Sequence, residues 1–458
     1  MKHPRASLLS RLLPLAAAAL ALCGPHAHAQ SLLALYESAR GYDASFVGAK
    51  AQFEANLAKA NQALGGILPN IALSTTATRT YLDLRYDRPE QFLPGTPPAT
   101  TPRTFGTYSG AVLLNQPLYR PAAWAAYRQG GQQLQLAAAQ FEAAEQDLLV
   151  RVSQAYFDVL NGEDTLSFVQ AQKKAVAEQL AAAKRNFEVG ATPITGVRDA
   201  QARYDLTLTQ EIAAENDLRV KRLALDLLVG QSNAKPLRLR TVGPLVDAPK
   251  DSLDQWVSTS EANSPLVRQA QLALDVARLE IDKAMAGHKP TVDAQIAYAG
   301  TRNISGNAVS SFDTHVFAPY AQVVMSVPLF SGYATTNRVK ETKALESKAQ
   351  ADLEAARRSV AQATRSAYLG VMAGLSQVKA YESAEASTQS SVDANRLGYS
   401  VGVNISIDVL NAQSQLFQTK RDLAKARYDL LMTHLKLRQA AGTLTPQDLE
   451  PINGLLAR

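Results

Sequence analysis

The sequence holds one cysteine in 458 residues, Cys23, and it falls in an N-terminal stretch that reads as a removable segment. Without it the chain has neither disulfide nor thiol chemistry. Long apolar runs are missing too. Beyond the first thirty residues no uncharged stretch approaches the ~18 residues a membrane helix needs, and mean hydropathy is −0.13, which excludes a polytopic helical membrane protein. Histidine is scarce: His288, His315 and His434 stand far apart, without the spacing of a zinc motif. Gly65-Gly66 and Gly130-Gly131 fit no phosphate-binding pattern, and the serine-rich stretch from Ser387 to Ser391 has no nucleophile elbow. The 47 basic residues, against 41 acidic, are dispersed rather than striped with aromatics, so nucleic acid is not an expected partner. No catalytic residue, metal or cofactor is expected.

The N-terminus carries its own pattern. Lys2, Arg5 and Arg11 precede the apolar stretch Leu12 to Cys23, and Ala27-His28-Ala29 offers small residues at a cleavage site. Residues 1–29 therefore read as a signal peptide. Its three basic residues take the formal charge from +6 to +3. Leu22 stands where a lipoprotein signal would need a small residue, which argues against acylation of Cys23.

What the chain does have is an internal repeat. Val189-Gly190 recurs as Val401-Gly402, Ala200-Gln201 as Ala412-Gln413, Leu218 as Leu430 and Gly230 as Gly442, all at an offset of 212. Gly162 recurs as Gly374 at the same offset. Two copies of one unit are expected, 30–240 and 241–458, the second ending in a C-terminal tail. Each reads as helix, two strands, then a long helical hairpin. The strands are expected at about 68–84 and 104–118, then 290–302 and 315–328; the hairpins at about 121–230 and 333–442. Leu134, Ala138, Phe141, Glu145, Leu148, Val152, Ala155 and Val159 are spaced 4-3-4-3, as are Ala349, Leu353, Ala356, Val360, Ala363, Ala367 and Gly370. A helix from about 122 to 188 would be ~100 Å long, unless Gly130-Gly131 interrupts it.

The strands carry the period of two. Tyr108, Gly110, Val112 and Leu114 share one face, Val292, Ala294, Ile296 and Tyr298 another, and Phe317, Ala321, Val323, Met325 and Val327 a third. At ~9–11 residues these runs have the length of tilted transmembrane strands, and they would equally suit a soluble sheet with half-buried faces. Tyr81, Tyr86, Tyr108, Tyr298 and Tyr320 are candidates for interfacial girdles. Trp124, at the start of a helix, is expected to pack. If the strands do span a bilayer, four cannot close a barrel and an open edge is not tolerated there, so two, three or more copies would have to share one.

On these motifs the chain resembles the TolC family of outer-membrane efflux and secretion channels. The resemblance rests on the duplicated halves, the turn segments Phe187 to Thr195 and Gly398 to Gly402, the stretch Ile407 to Gln413, and the end Leu437 to Leu449. It implies a mixed α and β fold, in which a long helical coiled-coil barrel in the periplasm continues a trimer-shared 12-stranded transmembrane β-barrel, four strands per chain. The location would be the outer membrane of a Gram-negative bacterium, with most of the chain periplasmic. The function implied is a passive exit duct of a tripartite efflux pump or type I secretion system. Implied partners are a homotrimer, outer-membrane lipid, a periplasmic adaptor, an inner-membrane transporter, and an exported drug or protein.

By the same resemblance the pore narrows at the periplasmic turns. Asp408 matches an acidic ring there, and Asn411 stands where a second aspartate is expected. Tyr399 and Thr195 match positions that make closing contacts, whereas Asn404 replaces an arginine and Gly196 an aspartate. A closed state that is weaker, or held by other contacts, is expected. Val189, Gly190, Ala191, Val401, Gly402 and Val403 match segments offered to an adaptor, and as helix caps they would also turn the hairpins. The competing reading is a periplasmic adaptor or structural coiled-coil protein, which shares the signal peptide and heptads but has one hairpin rather than two repeats; an enzyme is a distant third.

Overall fold

A computed structural model describes residues 30–83, 102–190, 193–240, 246–249, 251–310 and 312–456. The signal-peptide reading, Cys23, Tyr86 and Ala191 lie outside them. In chain order the elements are α1 (Leu32–Tyr42), α2 (Ala44–Leu64), β1 (Asn70–Leu82), β2 (Arg103–Tyr119), α3 (Pro121–Glu188) and α4 (Ile194–Val229). The series then repeats with α5 (Leu253–Asn263), α6 (Pro265–Met285), β3 (Thr291–Ile304), β4 (Thr314–Ser326), α7 (Ala334–Ser400) and α8 (Ser406–Ala440), followed by a short α9 (Leu449–Gly454). No described helix is long and apolar enough to cross a membrane.

The described residues form two compact units. One gathers the chain up to Lys50, Gln140–Val267 and the part from Ala356 onward. Its main core joins Leu32, Leu35 and Tyr36 of α1 to Leu148, Val152, Tyr156, Phe157 and Leu160 of α3, with Leu225 of α4 and Leu431 and Leu435 of α8. Tyr156 donates its hydroxyl hydrogen to the Leu237 carbonyl at 2.9 Å, which satisfies a polar atom inside that core. Arg151 clamps Asp43 with two nitrogens, each 3.0 Å from a carboxylate oxygen. The hydrogen bonds from Arg151 hold the Asp43 carboxyl below its ordinary range, against the opposing effect of burial.

The two copies repeat a close approach. A Cβ on Gly162 would meet Leu218 Cδ1 at 3.2 Å, and a Cβ on Gly374 would meet Leu430 Cδ1 at the same distance. Each glycine thus lets a helix lie against its hairpin mate. Gly230 and Gly442 close the hairpins' second helices with φ of 68° and 70°. A Cβ on Gly442 would stand 2.4 Å from the Asn263 carbonyl oxygen, and one on Gly230 would stand 2.3 Å from the Tyr42 ring. Left-handed backbone costs an L-residue ~1–2 kcal/mol, and backbone cannot swing aside as a ring can. Gly442→Ala is therefore expected to lower stability by more than ~2 kcal/mol and Gly230→Ala by less; the thermal unfolding temperatures of the two variants, followed by circular dichroism, measure the difference.

The helical seams differ in part from the sequence pattern. In α3, Leu148, Val152 and Val159 are buried as the heptads require, but Leu149, Tyr156, Phe157 and Leu160 form a second buried stripe beside them. In α7 Leu353 and Val360 are buried as the spacing requires, but beyond them the expected Ala363 is exposed, and Thr364, Val371 and Val378 are buried instead. Branched side chains remove more apolar area from water than alanine, and Thr364 satisfies its hydroxyl on the Val360 carbonyl at 2.9 Å.

The other unit comprises Ala51–Ala139 and Arg268–Ala355. Gly130-Gly131 does not break α3: a Cβ on Gly130 would lie 3.1 Å from Ala63 Cβ, so the glycine admits α2. Glu280 of α6 accepts from Gln129 and Arg338, both at 2.8 Å. Trp124 is 50% exposed and its ring meets Tyr127 edge-on at 6.2 Å, so within the chain it is packed only in part.

The strands form one antiparallel meander, β1-β2-β3-β4, with both outer edges unpaired among the described residues. At 13, 17, 14 and 13 residues they exceed the expected ~9–11, because backbone pairing runs on past the apolar residues through polar ones such as Thr104, Asn303 and Thr314. The register brings Ile71, Leu73, Val112, Leu114, Ile296, Tyr298, Phe317, Val323 and Met325 to one face. Ser74, Thr76, Ala111, Ser109, Gln295, Ala297 and Gln322 are on the other. Tyr81, Tyr108 and Tyr298 belong to the apolar face, but Tyr320 pairs with Ala297 on the polar one and cannot join a girdle with them.

Candidate functional site

The expected site residues that the structure describes lie at the two hairpin turns, α3–α4 and α7–α8. Each turn is made by a residue in the left-handed region: Gly190 with φ 73° and Gly402 with φ 79°. The amide of Gly190 donates to the Phe187 carbonyl at 2.9 Å, and that of Gly402 to the Tyr399 carbonyl at 3.2 Å. Val403 and Asn404 both donate to the Gly398 carbonyl, at 2.8 and 3.2 Å. These bonds satisfy the free carbonyls of the helix ends, so capping accounts for the glycines. It does not account for their neighbours. Val189, Val401 and Val403 are 78%, 66% and 78% exposed, and Ile405 is 64% exposed.

Above the turns, polar pairs tie the hairpins together within the chain. Asn186 on α3 donates to the Tyr399 hydroxyl at 3.1 Å, and Gln179 donates to Ser406 Oγ at 2.8 Å. Arg203 on α4 donates to Asn411 Oδ1 on α8 at 2.8 Å. An apolar cluster of Val176, Leu180, Ala183, Ala200 and Leu410 lies with them. Further along, Lys173 donates to Glu211 and Arg421 to Gln172. The hydrogen bond to Glu211 raises the Lys173 pKa, while burial lowers that of Arg421.

Asp408 is exposed, and its Oδ2 accepts from the Ile405 amide at 3.2 Å, which caps the start of α8. Its second oxygen remains available to the surroundings. Asn404, where the resemblance implies an arginine, donates to Asn395 at 2.9 Å within its own turn. Thr195 is exposed and Gly196 half buried, with the Gly196 amide donating to the Pro193 carbonyl. The chain thus brings Tyr399 and Asn411 into contacts between hairpins and leaves Asp408, Thr195 and Asn404 without such contacts among the described residues. Arg203, Asn186 and Gln179 were not legible in the sequence. At the repeat offset they face Gln415, Gly398 and Ser391, so the duplication marks none of them.

Comparison with known proteins gives one answer. The sequence profile of outer membrane efflux proteins matches residues 35–231 and 256–443. Outer membrane protein TolC of Vibrio cholerae serotype O1 is 32% identical over 446 residues, covering 97% of this chain and 98% of that one. Proteases secretion protein PrtF of Dickeya chrysanthemi is 29% identical, covering 94% and 92%. Among solved structures, the outer membrane protein VceC of Vibrio cholerae superposes with a TM-score of 0.75 at 18% identity, over 90% of this chain and 96% of that one.

Proposed function

Because the chain belongs to the outer membrane efflux protein family, the TolC-type channels of the Gram-negative outer membrane, we propose that three copies assemble into the exit duct of a tripartite efflux pump or type I secretion system. The sheet carries this reading. It has one largely apolar face, a second, mixed face that carries Ser74, Thr76, Ser109, Gln295 and Gln322, and two edges without partners among the described residues. Unpaired N–H and C=O groups cost several kcal/mol each in hydrocarbon, so the edges need strands from other copies. Three copies give twelve, an even number in the range of bacterial barrels, under closed cyclic symmetry.

The remaining assignments are part of the same reading. Residues 1–29 direct export, and residues 30–240 and 241–458 are two copies of one unit, a division supported by the two separate profile matches. The duct is passive and is energised by an inner-membrane transporter reached through a periplasmic adaptor. That adaptor docks on Val189, Gly190, Ala191, Val401, Gly402 and Val403, whose exposed valines have nothing covering them within the chain. Asp408 forms a threefold acidic ring at the constriction. Asn411 contributes no charge, and Tyr399, Asn404, Thr195 and Gly196 line the same turns, with Arg203–Asn411 and Asn186–Tyr399 holding the hairpins in place of ion pairs.

Deleting the gene is expected to abolish secretion of the cargo or to raise drug susceptibility, with the protein recovered from the outer-membrane fraction of the parent as a heat-labile trimer. A monomer in the soluble periplasmic fraction would refute the duct.

A further inference from the structure

The apolar face of the sheet changes character near its hairpin end, the end away from the helices. There the register places three basic residues on the same face as Ile71, Leu73, Val112 and Phe317: Arg79, Arg302 and His315. Arg302 is the Cα partner of both Tyr108 and His315, and Arg79 is the partner of Gly106, two residues from Tyr108. All three side chains are exposed, and none has a hydrogen bond or ion pair among the described residues. Arg103, on the opposite face, is already engaged with the Asn307 carbonyl at 3.4 Å.

Their depth is informative. Arg79 lies eight residues beyond Ile71, about 27 Å along the strand. A tilt of 35–45° reduces this to about 20 Å along the membrane normal, close to the ~25 Å height of an outward apolar band. The arginines therefore stand at the far rim of that band, where a charge on the lipid face costs little, and Tyr81 and Tyr108 stand with them. Beside them Gly106 lacks a side chain, and a cleft of about 350 Å³ is lined by Arg79, Thr104, Gly106, Tyr108 and Ile304. Unpaired guanidinium groups at the rim of an apolar surface match a ligand with an anionic head and hydrocarbon tails. A soluble anion would have no use for the apolar strip that continues from the cleft.

We propose that Arg79, Arg302 and His315 form a binding site for the phosphate groups of a phosphorylated glycolipid in the outer leaflet, its acyl chains lying against Leu73, Val112 and Tyr298. The proposal rests on the barrel reading above, which sets this face toward lipid. Guanidinium binds phosphate through paired, charge-assisted hydrogen bonds, and each basic group near a membrane surface strengthens binding several-fold.

The test uses purified trimers in detergent, with bisphosphorylated lipid A and its dephosphorylated form offered separately and bound lipid counted by native mass spectrometry. The wild type is expected to retain the phosphorylated form at least tenfold better. The double variant Arg79→Ala/Arg302→Ala is expected to lose about 30-fold and to bind both forms alike, with Arg79→Lys/Arg302→Lys restoring part of the preference. Equal binding of the two lipids by wild-type trimers, or an unchanged preference in the double alanine variant, overturns the site. The wild-type arm decides the matter alone if the double variant does not assemble. Wild-type protein that forms no outer-membrane trimer overturns the barrel reading instead.

Discussion

Val323→Lys is expected to eliminate the heat-labile trimer from the outer membrane, while Gln322→Lys, one residue away, leaves it in place. The two side chains point to opposite faces of β4: Val323 pairs with Ala294 on the apolar face, and Gln322 pairs with Gln295 on the polar one, its amide donating to Gln295 Oε1 at 2.8 Å. Val323 is 66% exposed in the single chain and has Ala321 and Met325 to either side on its own face. A lysine on a barrel's lipid face costs up to ~2–4 kcal/mol, most at the midplane and less toward the interfaces. Three copies then lose up to ~6–12 kcal/mol, comparable to the whole stability of an ordinary domain. A lysine on the lumenal face stays in water and forfeits one hydrogen bond, worth ~1 kcal/mol. Trimer recovery by semi-native electrophoresis of outer-membrane fractions reads the contrast. Equal tolerance of the two lysines would mean that the apolar face does not meet lipid.

That contrast was available from the sequence because strand side chains obey a strict period of two. Tyr108, Gly110, Val112 and Leu114 share a face in the structure as they do in the alternation, and the pairing of β2 with β3 adds Ile296 and Tyr298 to it. Tyr320 shows where the rule is easily misapplied: aromatic character suggested a girdle, but its parity places it with Gln322. Helices tolerate more ambiguity. Ala363 and Thr364 are adjacent, and a 4-3-4-3 count that is right at Leu353 and Val360 can slip by one residue at the alanines beyond them without any internal contradiction. What decides is the larger apolar area of Val360, Val371 and Val378, a packing quantity that spacing does not contain. The contacts at the turns were less legible still. Asn411 could be singled out only as a position lacking a carboxylate, since its partner Arg203 comes from another hairpin, 208 residues earlier. No local pattern encodes such a meeting.

The same pair enters the second large effect, at the proposed periplasmic constriction. Asp408→Asn keeps an acceptor for the Ile405 amide, so the cap on α8 survives and only the charge is lost. In planar bilayers the ratio of cation to anion permeability is expected to fall several-fold, and Asp408→Arg is expected to invert it, because three positive groups then line the path that three carboxylates lined. Asn411→Asp places a carboxylate beside Arg203, whose guanidinium in the wild type donates at 2.8 Å to a neutral amide. The added charge cancels that of the guanidinium, so each copy loses one net positive charge and cation preference is expected to rise. In an Arg203→Ala background the same Asn411→Asp change leaves its carboxylates unpaired, and cation preference is expected to rise further. The order of the four channels, with Arg203→Ala/Asn411→Asp most cation-selective, then Asn411→Asp, then wild type, and Asp408→Asn last, requires both positions to lie near the conduction path. An Asn411→Asp channel no more cation-selective than wild type would show that position 411 does not face that path.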